Sequence, residues 1–264
     1  MSDVLISAAE LAALDNPVLL DVRWQLGGPP GHDEYRKGHI PGAVFVDMEN
    51  ELAAHGEPTD GRHPLPTLEA LQASARRWGV THDRPVVAYD ATGGLAAARA
   101  WWLLRWAGIA DVRLLDGGLQ AWEGDLSTDD VEPEPSDVEL TGGALPTLSL
   151  DEVQRFQGTL LDARAGERYR GETEPIDPVA GHIPGALSAP TTGNLTSDGH
   201  FLSPEALRER FAAYEGPIGV YCGSGVTAAH EIAALAIAGR EAALYAGSWS
   251  QWSNHPELPV ATGD

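Results

Sequence analysis

Cys222 is the only cysteine of the chain, and it stands in GVYCGSGVTAAH at 219–230, between an apolar run and an alanine-rich one. A lone cysteine is ordinarily a small buried hydrophobe. Here its neighbours point elsewhere. Gly223 and Gly225 flank Ser224 and let the backbone curl tightly, because glycine accepts positive φ. A helix is expected to open directly afterwards. Such a loop turns the amides of Gly223, Ser224, Gly225, Val226 and Thr227 inward, and together with the helix dipole they stabilise an anion. The anion can be the thiolate itself. A cradled, accessible thiolate supports phosphate-ester attack, disulfide exchange or sulfur transfer. Phosphate attack needs an arginine six residues after the cysteine, where this chain has Ala228. Disulfide exchange usually needs a resolving cysteine, and there is none. What remains is a thiolate that takes up a sulfur atom, holds it as a persulfide and passes it on.

The elements that position Cys222 repeat along the chain. VLLDVR at 18–23 is answered by TLLDAR at 159–164, and GHIPGA at 38–43 by an identical GHIPGA at 181–186. PVVAYDATGG at 85–94 matches PIGVYCGSGV at 217–226, and LLDGGLQAW at 114–122 matches LYAGSWSQW at 244–252. One domain has been duplicated. Residues 1–124 are expected to form the first domain and 146–264 the second. The acidic, proline-bearing stretch 125–145 between them reads as a surface linker.

Within each copy, strands alternate with helices. VLLDV, AVFVD, VVAYD and VRLLD read as strands in the first, and LLDA, ALSAP, IGVYC and AALYA in the second. Helices are expected over 68–79, 96–108, 204–216 and 227–239, each stopped by a glycine. The alternation implies an α/β class, with mainly parallel sheets covered by helices on both faces. Ligands bind such sheets beyond the carboxyl ends of the strands, where Cys222 falls.

The chain carries 17 basic and 39 acidic residues, a formal net charge of -22. That field repels nucleic acid and anionic lipid, so an anion site must be built locally. No apolar run approaches a membrane span of about 20 residues. The N-terminus lacks the basic and apolar regions of a secretion signal, so a cytoplasmic protein is expected. No Cys/His cluster suggests a metal. No phosphate-loop lysine follows DATGG, and no cofactor is expected.

With its paired LLD, GHIPGA and YD/YC segments and its CGSGVTA loop, the chain resembles the tandem-domain rhodanese family of sulfurtransferases over almost its whole length. The loop itself is similar to that of the 3-mercaptopyruvate branch. The resemblance implies two tandem rhodanese-like domains and a ping-pong cycle. Cys222 would take sulfur from thiosulfate or 3-mercaptopyruvate and yield it to cyanide, a thiol or thioredoxin. A non-catalytic persulfide carrier or redox-sensing module, loaded by a protein partner, is the other reading. Asp90 stands where the second copy has Cys222, which implies a catalytically silent first domain that helps to wall the cleft. Arg168 corresponds to the arginine that binds the donor's anionic group, and Trp24 to a cleft aromatic. Ser224, with His39 and Asp33 from the first domain, would assist proton transfer. His39 and His182, however, occur in both copies, which favours a structural role. Two departures leave the donor open: the mercaptopyruvate branch has a second arginine where this chain has Asp177, and the thiosulfate branch has cations where this chain has Gly223 and Ser224. His230 is expected on the helix surface.

Overall fold

The computed structural model describes residues 4–264. The chain forms two compact units. Unit 1 comprises Met1–Ala54, Pro66–Leu145 and Ser197–Phe201, and unit 2 comprises His55–Leu65, Pro146–Thr196 and Leu202–Asp264. Segment 125–145, read from the sequence as a linker, therefore clusters with unit 1. Ser127 exchanges backbone hydrogen bonds with His39, and the Thr141 amide donates to Ala107. His55–Leu65 clusters with the second unit despite its early place in the chain.

Unit 1 is built on five parallel strands, β1 (Leu5–Ile6), β2 (Val18–Asp21), β3 (Val44–Phe45), β4 (Val86–Tyr89) and β5 (Val112–Leu115), in the order β1-β5-β4-β2-β3. Unit 2 has four parallel strands, β6 (Thr159–Asp162), β7 (Leu187–Ser188), β8 (Ile218–Tyr221) and β9 (Ala243–Leu244), in the order β7-β6-β8-β9. The repeated central pairs are β2 with β4 and β6 with β8, with Leu20 opposite Ala88 and Leu161 opposite Val220. Strands β2, β4 and β8 are buried along their whole length, which is why they read as apolar runs without alternation.

Several elements are shorter than their sequence patterns. Strands expected at 43–47, 186–190 and 242–246 keep only two residues each. The helix expected at 204–216 is regular only over Pro204–Arg210, with the Ser203 hydroxyl accepting from the Ala206 amide at its start. Helices Leu68–Arg77, Ala97–Trp106 and Val226–Ile237 fall where the sequence places them.

The duplicated motifs do the same structural work twice. The hydroxyl of Tyr89, at the end of β4, accepts the Ile40 amide at 3.0 Å, and that of Tyr221, at the end of β8, accepts the Ile183 amide at 3.2 Å. Each ties one GHIPGA loop to its sheet. His39 stacks on Tyr35 and His182 on Tyr169, both at 3.8 Å between ring centroids. Their Nδ1 atoms donate to the carbonyls of Tyr35 and Tyr169 at 3.0 and 2.8 Å. Among the described residues, no helix is long and apolar enough to cross a membrane.

Candidate active site

Cys222 directly follows β8, and the loop 222–225 passes into helix Val226–Ile237, whose N-cap is Gly225. Gly225 is in the left-handed region at φ 79°, and a Cβ there would lie 2.5 Å from the Ala246 carbonyl oxygen. Only glycine closes this turn. The Gly225 amide donates to Cys222 Sγ at 3.1 Å, so the loop directs an N–H at the sulfur from within. Cys222 is 2% exposed, so the thiol sits deeper than the accessible cysteine expected.

A second segment straps the loop from the side. The Ser248 hydroxyl accepts from the Cys222 amide at 3.1 Å and donates to the Tyr245 carbonyl at 2.9 Å. The amides of Trp249 and Ser250 donate to the carbonyls of Cys222 and Gly223 at 3.0 and 2.8 Å. Ser248 adopts φ 55°, a conformation rare outside glycine, and its hydroxyl occupies a site the loop needs.

The polar partners of the loop come from His55–Leu65. His63 Nδ1 lies 2.8 Å from Ser224 Oγ, and both residues are buried. This corrects the expectation for His39. His39 is 0% exposed within unit 1 and is committed to Tyr35, whereas the histidine on Ser224 is His63. Asp33 is exposed on the first turn of helix Gly31–Lys37, and Trp24 donates its ring N–H to Glu49 at 3.1 Å, also within unit 1. Nothing in the sequence marks His63 as a partner, because it lies 161 positions before Ser224 and belongs to neither repeat motif.

Arg168, on the short helix Gly166–Tyr169, holds Glu174 through Nε and Nη2 at 3.2 and 2.7 Å, and Asp177 through Nη2 at 3.3 Å. Arg170 takes Glu172 instead. The other Asp177 oxygen accepts from Arg62 Nη1 at 2.6 Å. Arg62 and Arg168 thus share one carboxylate, and they also share a direction: a Cβ on Gly223 would lie 3.3 Å from both Arg62 Nη2 and Arg168 Nη1. Burial raises the Asp177 carboxyl above its ordinary range, against the charge and hydrogen bond of Arg62. Burial would also raise Glu174, but the Arg168 hydrogen bond, the Asp177 amide and the Arg168 charge together hold it below that range. Nothing in the sequence points to Arg62, which lies far from Gly223 in the chain and outside both repeat motifs.

Helix Val226–Ile237 buries two titratable side chains behind the loop. His230 is 0% exposed, contrary to the surface position expected, and its Nδ1 lies 2.7 Å from Thr191 Oγ1. Glu231 accepts from Asn194 Nδ2 at 2.6 Å, while its second oxygen, Oε1, has no partner. Burial pushes the Glu231 carboxyl up to about 7, against the pull of Asn194 and Arg210. The helix is almost wholly apolar and has no exposed face, so His230 and Glu231 are carried into the core with it.

The rhodanese-like domain model matches residues 7–125 and again 149–255. A Mycobacterium tuberculosis protein named as a thiosulfate sulfurtransferase is 49% identical, over 98% of this chain and 97% of its own length. A Pseudomonas aeruginosa protein named as a 3-mercaptopyruvate sulfurtransferase is 47% identical, over 98% of each chain. Among solved structures, the 3-mercaptopyruvate sulfurtransferase of Escherichia coli superposes with a TM-score of 0.82 at 33% identity, covering 94% of this chain and 99% of that one. Two domain matches, near-full-length relatives and a shared architecture therefore agree: the chain belongs to the rhodanese-like family, among its tandem-domain sulfurtransferases.

Proposed function

We propose that this chain moves a sulfane sulfur from a small anionic donor to a thiophilic acceptor through a persulfide on Cys222. The observation that carries this reading is the loop itself, with Cys222 Sγ at 3.1 Å from the Gly225 amide and Ser224 at 2.8 Å from His63 beside it. With thiosulfate, the Cys222 thiolate attacks the outer sulfur, the S–S bond breaks, and sulfite leaves with the electron pair. With 3-mercaptopyruvate, the thiolate attacks the donor's sulfur and the C–S bond breaks. The pair left on carbon takes up the proton of the donor thiol, giving pyruvate. Ser224 and His63, 2.8 Å apart, carry that proton in this reading. In both cases a Cys222 persulfide anion remains, and the inward amides of the loop stabilise it. A second thiolate or cyanide then removes the outer sulfur and regenerates Cys222. Thioredoxin is a fitting acceptor, and the cytoplasm, with its reduced thiols, a fitting compartment. The first domain has a carboxylate at Asp90 in place of a thiol and forms no persulfide of its own.

Intact-mass analysis after incubation with thiosulfate or 3-mercaptopyruvate tests the proposal. One added sulfur is expected on the wild type and none on Cys222→Ser, with loss of that sulfur and repeated turnover when cyanide or a thiol is added. Loading once without turnover would favour a carrier that hands sulfur to a protein partner. Failure of both donors to load Cys222 would remove the enzymatic reading.

A further inference from the structure

The helix that opens at the cysteine loop carries a buried acid in its second turn, and no cation touches it. Glu231 is 0% exposed and makes no ion pair among the described residues. One carboxyl oxygen accepts from Asn194 Nδ2 at 2.6 Å, and Oε1 accepts from nothing. The amide is held in that orientation, because Asn194 Oδ1 takes Arg210 Nε at 2.8 Å and so turns Nδ2 toward Glu231. Arg210 also donates through Nη2 to the Pro190 carbonyl at 2.9 Å, so it acts on Glu231 only as a charge at a distance. The other elements of the same unit packed on this helix add no further charge. The turn Thr191–Asn194 brings Thr191 Oγ1, 2.7 Å from His230 Nδ1. The chain after helix Pro204–Arg210 brings Tyr214, β8 brings the buried phenol of Tyr221, and β9 has no titratable side chain. An ionised Glu231 is therefore a negative charge inside the helix whose first amides face the sulfur. Gly225, whose amide donates to Cys222 Sγ at 3.1 Å, lies six residues earlier, roughly 9 Å along the helix axis. Two like charges about 10 Å apart at an effective dielectric of about 20 displace each other's ionisation by about one pH unit. The first copy has the opposite sign at the matching place. Nine residues after Asp90 its helix buries Arg99, and nine residues after Cys222 the second buries Glu231.

We propose that Glu231 is an internal counterweight to Cys222: through the helix they share, carboxyl and sulfur each disfavour a negative charge on the other, and Glu231 thereby sets the pH range over which Cys222 is a nucleophile. A proton that leaves the thiol is matched in part by one bound at Glu231, so little net charge enters the core. Glu231 touches neither the sulfur nor its loop and acts only by its charge.

The meaning of this coupling for sulfur transfer rests on the persulfide reading, but the coupling itself can be tested without a sulfur donor. Two titrations of the full chain do so. In the first, the rate of iodoacetamide alkylation at Cys222 is followed by mass from about pH 5 to about pH 10 in the wild type and in Glu231→Gln. In the second, the carboxyl 13C signal of Glu231 is titrated in the wild type and in Cys222→Ser, with Glu231→Gln assigning the resonance. Coupling is reciprocal, so whichever group ionises at the higher pH carries the displacement. If that group is the sulfur, Glu231→Gln should react up to about tenfold faster on the rising limb of the profile. Equal rates at the acid end then show that the loop is intact. If it is the carboxyl, Glu231 should titrate about one pH unit higher in the wild type than in Cys222→Ser, since serine removes the charge. Midpoints unmoved in both titrations overturn the proposal, and so does a rate changed by one factor at every pH, which is the mark of a merely structural role. If a displacement appears while no donor loads sulfur, the coupling stands and sulfur transfer falls. If sulfur loads on the wild type and neither midpoint moves, the converse holds.

Discussion

The loops that follow β4 and β8 begin alike and resolve the same electrostatic problem in opposite ways. Both direct backbone N–H toward the first residue after a buried parallel strand, four amides in one and the Gly225 amide in the other. After β4 that residue is Asp90, whose carboxylate takes four N–H groups: Thr92 and Gly94 at 2.7 and 2.9 Å on one oxygen, Ala96 and Ala97 at 2.8 and 2.9 Å on the other. After β8 it is Cys222, whose sulfur accepts the Gly225 amide at 3.1 Å. The first loop closes on its carboxylate as a clasp within the fold. The second leaves its sulfur with a single amide from the loop. The straps differ in keeping with this. Gly118 at φ 61° and Ser248 at φ 55° occupy matching left-handed positions, followed by Leu119 and Trp249, whose amides donate to the carbonyls of Asp90 and Cys222 at 2.8 and 3.0 Å. Glycine adopts that conformation at no steric cost. Serine accepts the strain, and its hydroxyl holds the Cys222 amide.

The largest effect should come from emptying the clasp. Asp90→Ala leaves four inward amides without an acceptor and is expected to lower stability by about 3–5 kcal/mol, against about 1 kcal/mol for Cys222→Ala. Urea unfolding at pH 7 measures both, and equal losses would show that the two loops depend on their first residue to the same degree.

The helices leaving the two loops sharpen the contrast. At matching places, nine residues after Asp90 and Cys222, helix Ala97–Trp106 buries the guanidinium of Arg99 and helix Val226–Ile237 the carboxyl of Glu231. With its carboxyl raised from 4.5 to about 7, Glu231 stays protonated in the folded chain over a range where the unfolded chain is ionised. Its contribution to stability is fully present below about pH 4.5 and is lost as pH rises through about 7. Glu231→Gln keeps the neutral form at every pH. Its advantage over the wild type should therefore grow from near nothing at acid pH to on the order of 3 kcal/mol at pH 8. Urea midpoints across that range read it, and parallel curves would place the buried carboxyl outside the titration.

The smallest effect is expected at the strap. Ser248→Gly keeps the left-handed turn and deletes only the acceptor on the Cys222 amide, at about 1 kcal/mol and a few-fold slower sulfur loading. A variant as fast as the wild type would mean that the hydroxyl serves the fold and not the thiol.

Much of this was legible in the sequence because duplication prints the same physics twice. Alternating apolar runs gave the parallel sheets, and Gly223 and Gly225 around Ser224 gave the loop, since each of these signals is local. Recurrence also marked His39 and His182 as structural, and their matched stacks on Tyr35 and Tyr169 explain why. What escaped reading was non-local or depended on burial. Arg62 and His63 lie far from Cys222 in the chain and outside both repeat motifs, so no periodicity or spacing connects them to it. Position 177, where the mercaptopyruvate branch has an arginine, carries instead the carboxylate that Arg62 pairs with. His230 and Glu231 have polar side chains that on most helices face water. Only the apolar character of their whole helix, which leaves no exposed face, carries them inside. The edge strands β3, β7 and β9 pair over two residues each although their partners run further, which composition does not record.

The early segment His55–Leu65 makes the inheritance of this molecule uneven. A gene fragment starting at residue 146 would encode four strands, the cysteine and its glycine loop, yet neither the imidazole on Ser224 nor the guanidinium on Asp177. The duplication copied a scaffold, while the polar partners of one copy's loop are encoded within the other's stretch of chain. Shuffling the two halves as cassettes would therefore separate the nucleophile from its helpers, and the ancestral repeat is no longer the unit that recombination can exchange.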